Sequence, residues 1–444
     1  MMKEFGKEVD FFTSQHRLWS IMNAYTEYIL NAEELKRFIE EDNSKFDLVI
    51  AEEFFQQIFY VFSYKYRAPL ILLSTFGVGH YMNEYMGNSM EISYVPHEFF
   101  AVSGDMTVFD RLKNLAYTLY DILARRYYSL AFQNELAKSV FKNLGEIPNL
   151  EELERNASLL LINAHYSTSI VRPYVPNIVE IGGIHMDAVK NLDEDLRRLL
   201  DEAKDGAVLF SFGSVMDLSR QPRESIAEVL AALGSIAQTV ILKWNSDEPL
   251  PILYGNIHPY KWIPQNDVLA HPNLRAFVTH GGLHSAMEAI HHGVPTICVP
   301  FFGDQPLNCL KSAKMGWGIA LEKKNLDQNV LRTALNEILH MKSYQNRARE
   351  LSVVFKDRPI DVMNSTMFWI EYASLFAVGC FPSEEVKMSI SHTLAPVRVG
   401  SVGLKPTKKV PLKMKWLDRL CYVVGRLYNF TESGRTTHVG ADGA

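Results

Sequence analysis

Cysteine is scarce in this chain of 444 residues. The four present, Cys298, Cys309, Cys380 and Cys421, form no CxxC pair and no metal-ligand spacing. The sequence therefore supports neither a disulfide framework nor a zinc site, and Cys298, inside an apolar stretch, reads as a small hydrophobe. Long apolar runs are missing as well. No span of about 20 apolar residues occurs, which by bilayer thickness excludes an ordinary transmembrane helix. The opening MMKEFGKEVDFFTSQHRLWS has mixed charge and no apolar segment, unlike a signal peptide. Charge of one sign is also lacking: a formal net charge of −6 leaves no broad basic surface, so no nucleic-acid partner is expected. What is there is globular, with 47% hydrophobic and 22% charged residues. At about 150 residues per domain the length suits two domains with a cleft between them.

The opening 45 residues read as helices, after which FDLVIAEEFF (46–55) switches to a short apolar strand ending in acids. APLILLSTFG (68–77) is a second buried strand, and RLKNLAYTLYDILARRYYSLAF (111–132) is a long amphipathic helix. LLLINAHYS and NIVEIGGIH (159–185) give two more strands, with a linker placed near 184–192. AVLFSFGS (207–214), the helix ESIAEVLAALGSI and the strand TVILKW (239–244) open a second βαβ series. Strands alternating with helices argue for parallel sheets. Residues 375–444 change character: LKPTKKVPLKMKWLDR is basic and proline-broken, and TESGRTTHVGADGA reads as disordered.

Chemistry concentrates in AFVTHGGLHSAMEAIHHGVPTICVPFFGDQPLN (276–308) and the loop before it. The strand AFVT delivers His280, Gly281 and Gly282 to its C-terminal end, where open α/β sheets bind ligands, and a helix starts at once. Its free N–H groups attract phosphate, the glycines admit a diphosphate to the backbone, and His280, His284 and Ser285 can add donors. A glycine pair alone reads more often as a tight turn. Glu288 shifts that balance: three residues after Ser285, it shares a helical face, and its carboxylate can accept from both hydroxyls of a ribose. After the next strand, Asp304 and Gln305 suit the fixing of several sugar hydroxyls. Upstream, KWIPQNDVLAHP places Trp262 to stack on a base and Gln265 to bond a ribose or base edge. Ser214 ends the FGS turn at the same sheet edge. Taken in order these groups read as a nucleotide-sugar site. No G-x-G-x-x-G follows the first strand of either half, which argues against a nicotinamide dehydrogenase.

The order W-x-P-Q, F-V-T-H-G-G, S-x-x-E, G-V-P and G-D-Q resembles the signature of the UDP-glycosyltransferases, and the likeness extends from residue 46 to about 374 through SYVP, DMTVFDRLKN and DRPIDVMNSTMFWIEYAS, with an arthropod character. The resemblance implies the GT-B fold, two facing Rossmann-like doubly wound domains, the N-terminal one incomplete. The expected division is a partial acceptor lobe at 1–187, a donor lobe with closing helices at 188–374 and an atypical tail at 375–444. It implies transfer of a hexosyl group, glucose favoured over glucuronic acid, from a UDP-sugar to a hydroxyl of a small lipophilic acceptor, with inversion, as in detoxification. By the resemblance Trp262 stacks on uracil, Gln265 binds the uridine, Glu288 the ribose, and Asp304 and Gln305 the sugar. His280, Gly282, His284, Ser285 and Ser214 line the diphosphate. No cofactor or metal is implied.

The family pattern also calls for a histidine base after an early strand, oriented by an acid whose position aligns with Glu52. Ahead of FDLVI stand only 45 residues, and His16, in the helical context TSQHRLW, is a poor substitute. A general base contributes typically about 10²- to 10⁴-fold. The alternative expectation is therefore a UDP-sugar-binding or partner protein with impaired catalysis. Family members work at the endoplasmic reticulum membrane, whereas the visible sequence shows neither signal peptide nor membrane span, which sets a soluble form beside that expectation.

Overall fold

The computed structural model describes residues 10–376 apart from 103, 104 and 215, so the expected tail lies, beyond residue 376, outside the described residues. Two helices open the chain, α1 (Phe11–Leu30) and α2 (Glu33–Glu41), the first started by Asp10, whose carboxylate accepts from the Thr13 N–H at 3.1 Å. Strand β1 (Val49–Glu52), helix α3 (Val61–Tyr66) and strand β2 (Leu70–Ser74) follow. Helices α4 (His80–Met86), α5 (Val108–Ala124), α6 (Ala131–Val140) and α7 (Leu150–Arg155) then lead to β3 (Leu159–Ile162) and β4 (Ile178–Glu180). These strands form a parallel sheet in the consecutive order β1-β2-β3-β4.

The second half begins with α8 (Glu194–Asp201), β5 (Ala207–Ser211), α9 (Arg223–Gly234), β6 (Thr239–Lys243) and β7 (Ile257–Tyr260). It continues through α10 (Gln265–Leu269), β8 (Leu274–Thr279), α11 (Leu283–His292), β9 (Thr296–Cys298), α12 (Gln305–Lys314) and β10 (Gly318–Ala320). Its parallel sheet has the order β10-β9-β8-β5-β6-β7. The strand order reverses between β5 and β8, and a crevice outside the strand ends at such a reversal is where open α/β sheets hold ligands.

Both sheets are buried on both faces, which is why LLLI and AVLFS read as unbroken apolar runs. Within them side chains still alternate between faces. Val208 and Phe210 enter one core with Val240, Leu242 and Val278, while Ala207 and Leu209 enter another with Ile241 and Phe277. In the first sheet Leu72 and Leu160 pack on one side, and Ile71, Leu159 and Leu161 on the other.

Helices α13 (Gln328–His340), α14 (Lys342–Lys356) and α15 (Val362–Phe376) complete the described chain. The sequence reading grouped the last of these with the second half. In the structure Trp369, Ile370 and Ala373 of α15 pack against Ile71, Leu159 and Leu161 of the first sheet. The chain crosses back because that face offers an apolar surface that α15 covers.

Candidate functional site

The loops after β5 and β8 meet at the strand reversal. Gly213 and Gly281 have φ of 78° and 85°, values that favour glycine. The His280 ring fills the space between Gly213 and Gly282: a Cβ added at Gly213 would lie 2.8 Å from its Cε1, and one at Gly282 2.6 Å from its Nε2. Burial, aided by the Lys243 charge, lowers His280 to about 4, so the imidazole is neutral near pH 7. Gly282 is the N-cap of α11 and offers no side chain, so the first N–H groups of that helix remain available to an anion.

Beside this cradle the Gln265 amide donates to Ser285 Oγ at 3.0 Å and to Glu288 Oε2 at 2.5 Å. Burial raises the Glu288 carboxyl, the Gln265 bond opposes the rise, and Asp267 adds to it. Trp262, in the loop after β7, is 73% exposed. Lys243 Nζ lies 5.2 Å from its ring centre and also donates to the Gly213 carbonyl at 2.8 Å. An aromatic platform, a carboxylate and a set of free amides thus share one sheet edge, which is what a base, a ribose and a diphosphate require.

Asp304 immediately precedes α12 and accepts from Asn308 Nδ2 at 2.7 Å. The same amide donates to the Gly281 carbonyl at 3.1 Å, tying the two loops together. Burial raises Asp304 to about 6, against the Asn308 bond, and Glu98 from the opposite half adds to the rise. Lys311, two turns further on from Asp304, is lowered to about 8, first by burial and then by Arg172, with Asp304 opposing. Gln305 is only 5% exposed, and its carbonyl accepts from the N–H groups of Phe301 at 2.8 Å and Phe302 at 3.2 Å, which leaves its amide for a ligand.

One expectation is corrected here. Cys298 and Cys309 are disulfide-bonded, with Cα atoms 5.5 Å apart, where the sequence supported no disulfide. Spacing could not show it, because the pairing depends on α12 folding back beside β9. The bond lies under the phosphate cradle, since a Cβ at Gly281 would meet Cys309 Sγ at 2.5 Å and Cys298 Sγ at 2.6 Å.

The remaining predicted residues are spread more widely. Ser214 is exposed in the loop after β5, and His284 is exposed on α11 with its ring centre 4.6 Å from that of His185. Glu52 ends β1, accepts from Thr75 Oγ1 at 3.2 Å and is raised by burial. His16 is exposed on α1, its ring centre 4.9 Å from that of Tyr128. Tyr81, Met82, Tyr85 and Met86 belong to the buried core of the first half. The loop that does face the second half carries Phe99, whose Cε1 would lie 3.8 Å from a Cβ at Gly303. Sequence reasoning missed Lys243, Asn308 and Lys311. The last residue of a strand at the ligand edge, and the position four after Asp304 on a helix, are the signals that point to the first two.

Two parallel sheets of this kind, the second with its strand order reversing between β5 and β8, define the GT-B fold. The comparisons agree. The family model described as UDP-glucoronosyl and UDP-glucosyl transferase matches residues 2–375, and the chain belongs to that family. It is 34% identical to UDP-glucosyltransferase 2 of Dactylopius coccus over 74% of this chain and 64% of that protein. Against UDP-glycosyltransferase UGT5 of the same organism it is 33% identical over 82% of this chain and 75% of the relative. Human UDP-glucuronosyltransferase 2B10 is 28% identical over 82% of this chain and 68% of that protein. The chain thus spans about two thirds of the length of the first of these relatives, 64%. Among solved structures, the calicheamicin glycosyltransferase CalG4 matches with a TM-score of 0.55 at 16% identity, covering 84% of this chain and 83% of that one. The glycotransferase of kitacinnamycin matches with a TM-score of 0.52 at 16% identity, covering 82% and 84%. At that identity the likeness speaks for the fold.

Proposed function

We propose that the protein binds a UDP-sugar along the ends of β5 and β8 and transfers its hexosyl group, with inversion, to a hydroxyl of a small lipophilic acceptor. The observation that carries this reading is the bonded cluster Gln265–Ser285–Glu288, placed between the exposed Trp262 and the free N-terminus of α11. Trp262 stacks on uracil with Gln265 at the uridine. Glu288 accepts from the ribose. His280, Gly282, His284, Ser285 and Ser214 line the diphosphate, and Asp304 with the Gln305 amide holds the hexose. Glucose is favoured over glucuronic acid, a choice supported by the printed name of the 34% identical relative. Glu52 stands where an orienting acid belongs, and the reading calls for no metal or organic cofactor. Detoxification of lipophilic compounds at the endoplasmic reticulum membrane is the setting that family membership supports.

Calorimetric titration of the full chain with UDP, with GDP and NAD as controls, tests the donor site. Turnover of UDP-glucose and UDP-glucuronate over a panel of lipophilic alcohols and phenols tests the reaction. Saturable binding selective for UDP is expected, and Glu288→Ala should weaken it about tenfold or more, the cost of removing a charged acceptor. Absence of saturable UDP binding overturns the reading. UDP binding without turnover on any acceptor supports the second one, a UDP-sugar-binding partner protein.

A further inference from the structure

The segment ahead of α5 reaches across to the second half, and α5 holds it there. That helix turns Asn114, Thr118 and Asp121 inward. Asn114 accepts from the His97 N–H at 2.7 Å and donates to the carbonyls of Ile92 and Val95, both at 2.8 Å. Asp121 accepts from Gln15 Nε2 at 2.5 Å and Trp19 Nε1 at 3.1 Å. Releasing the segment would strand these buried groups without partners, so residues 97–99 have a fixed footing. From it Phe99 lies against Gly303, and Asp105 pairs with Lys314 of α12.

Glu98 stands between His97 and Phe99 in this segment. Its Oε1 lies 2.9 Å from the place of a Cβ at Gly79, so the glycine there makes room for the carboxylate. Its Oε2 is 3.9 Å from His97 Nδ1, too far for a hydrogen bond, and that nitrogen already accepts from the Phe99 N–H at 3.2 Å. Among the described residues the Glu98 carboxylate accepts no hydrogen bond, and the side chain is 29% exposed. Its charge is felt by Asp304, the residue assigned to the hexose. The lone pairs of Glu98 are therefore open to a ligand proton at the edge of the sugar site.

Other proton acceptors of the first half are less well placed. His80, His97 and His165 are at most 2% exposed, and both ring nitrogens of His185 are shielded from solvent. Glu52 is bonded to Thr75, and His16 leans on Tyr128.

We infer that Glu98 is the general base of the transfer, an inference that rests on the donor-site reading above. The acceptor oxygen bonds to the anomeric carbon as the bond from that carbon to the phosphate oxygen breaks. The electron pair of the broken bond leaves with UDP, whose charge the N–H groups at the start of α11 receive. The hydroxyl proton passes to the Glu98 carboxylate and from there to solvent.

Glu98→Gln in the full chain tests the assignment, with UDP-glucose as donor and two acceptor types, alkyl alcohols and 4-nitrophenol. With the alcohols kcat should fall about 100-fold or more, while with 4-nitrophenol, which gives up its proton readily, the loss should be about tenfold or less. Calorimetry should find UDP-glucose affinity within about twofold of the parent, which also reports that the variant is folded. Glu98→Asp, a carboxylate on a shorter stem, should recover part of the alcohol activity. Equal losses with both acceptor types overturn the inference, as does a loss of UDP-glucose affinity that matches the loss of turnover. An acceptor-dependent loss that follows Glu52→Gln and spares Glu98→Gln overturns it in favour of Glu52. A parent chain that binds UDP-glucose and transfers to neither acceptor type also overturns it and leaves the donor site standing. Absence of UDP binding removes both.

Discussion

Asp304 is a carboxyl whose charge changes just below neutrality, because burial raises it to about 6 from an ordinary value of 3.8. Between those two values the folded protein holds a proton that the unfolded chain gives up. Its contribution to stability is therefore greatest at low pH and is lost as pH rises through about 6. Ligand binding should run the other way, since a protonated carboxyl accepts hydroxyl hydrogen bonds less well. The affinity advantage of a UDP-sugar over UDP should hold near pH 7.5 and shrink as pH falls through about 6, and Asp304→Asn should flatten that profile. Calorimetry with both ligands across this range decides it; an unchanged advantage would place Asp304 away from the sugar. At this scale much of the site was legible. Gln265 and Glu288 stand 23 residues apart and were paired in the reading only through the chemistry of one nucleotide, and the structure bonds them directly. Asn308 and Lys243 were marked in the sequence by position alone and were passed over, because each matters through a backbone carbonyl, Gly281 for one and Gly213 for the other, that only the folded loops bring near.

Among the elements, α12 gains most from its surroundings. Its disulfide to the end of β9 closes a segment with a sequence separation of 11 that contains Asp304 and Gln305. Cross-linking a loop of that size constrains the unfolded chain by roughly 3 kcal/mol. Reduction should lower stability to denaturant by about that amount. It should also weaken UDP-sugar binding more than UDP binding, since the loop that loosens is the one assigned to the hexose. Cys309→Ala should show both effects and no further response to reductant, and a count of free thiols before reduction that includes Cys298 and Cys309 would sink the idea. Most strands of both sheets were readable as apolar runs. The two that were not, IHPY in β7 and GIA in β10, are the two edges of the second sheet. Edge strands tolerate proline and are short, so the pattern that betrays a central strand is absent there. For α5 the period was readable and the orientation was not: a helical period reports that a face is apolar, while buried hydrogen bonds decided which face turned inward.

At the level of the whole molecule, α15 belongs to the first sheet although it follows the second in sequence. Trp369→Ala should cost about 1–3 kcal/mol, the range for removing much of a partly buried aromatic side chain. Hydrogen exchange should place the lost protection in β2 and β3, which α15 covers, while UDP affinity stays unchanged. Loss confined to the second sheet would contradict the packing. Local periodicity could not foresee this return, because it predicts a helix with an apolar face and leaves open which surface receives it. The crossing points themselves are neighbours, since the Arg358 guanidinium donates to the carbonyl of Gly182. The chain leaves the first sheet and rejoins it at almost the same place, which makes residues 183–357 an insertion whose ends meet. Such a segment is a cassette in the mechanical sense: because its two ends meet, it could be exchanged at those positions with no gap left for the first sheet to bridge.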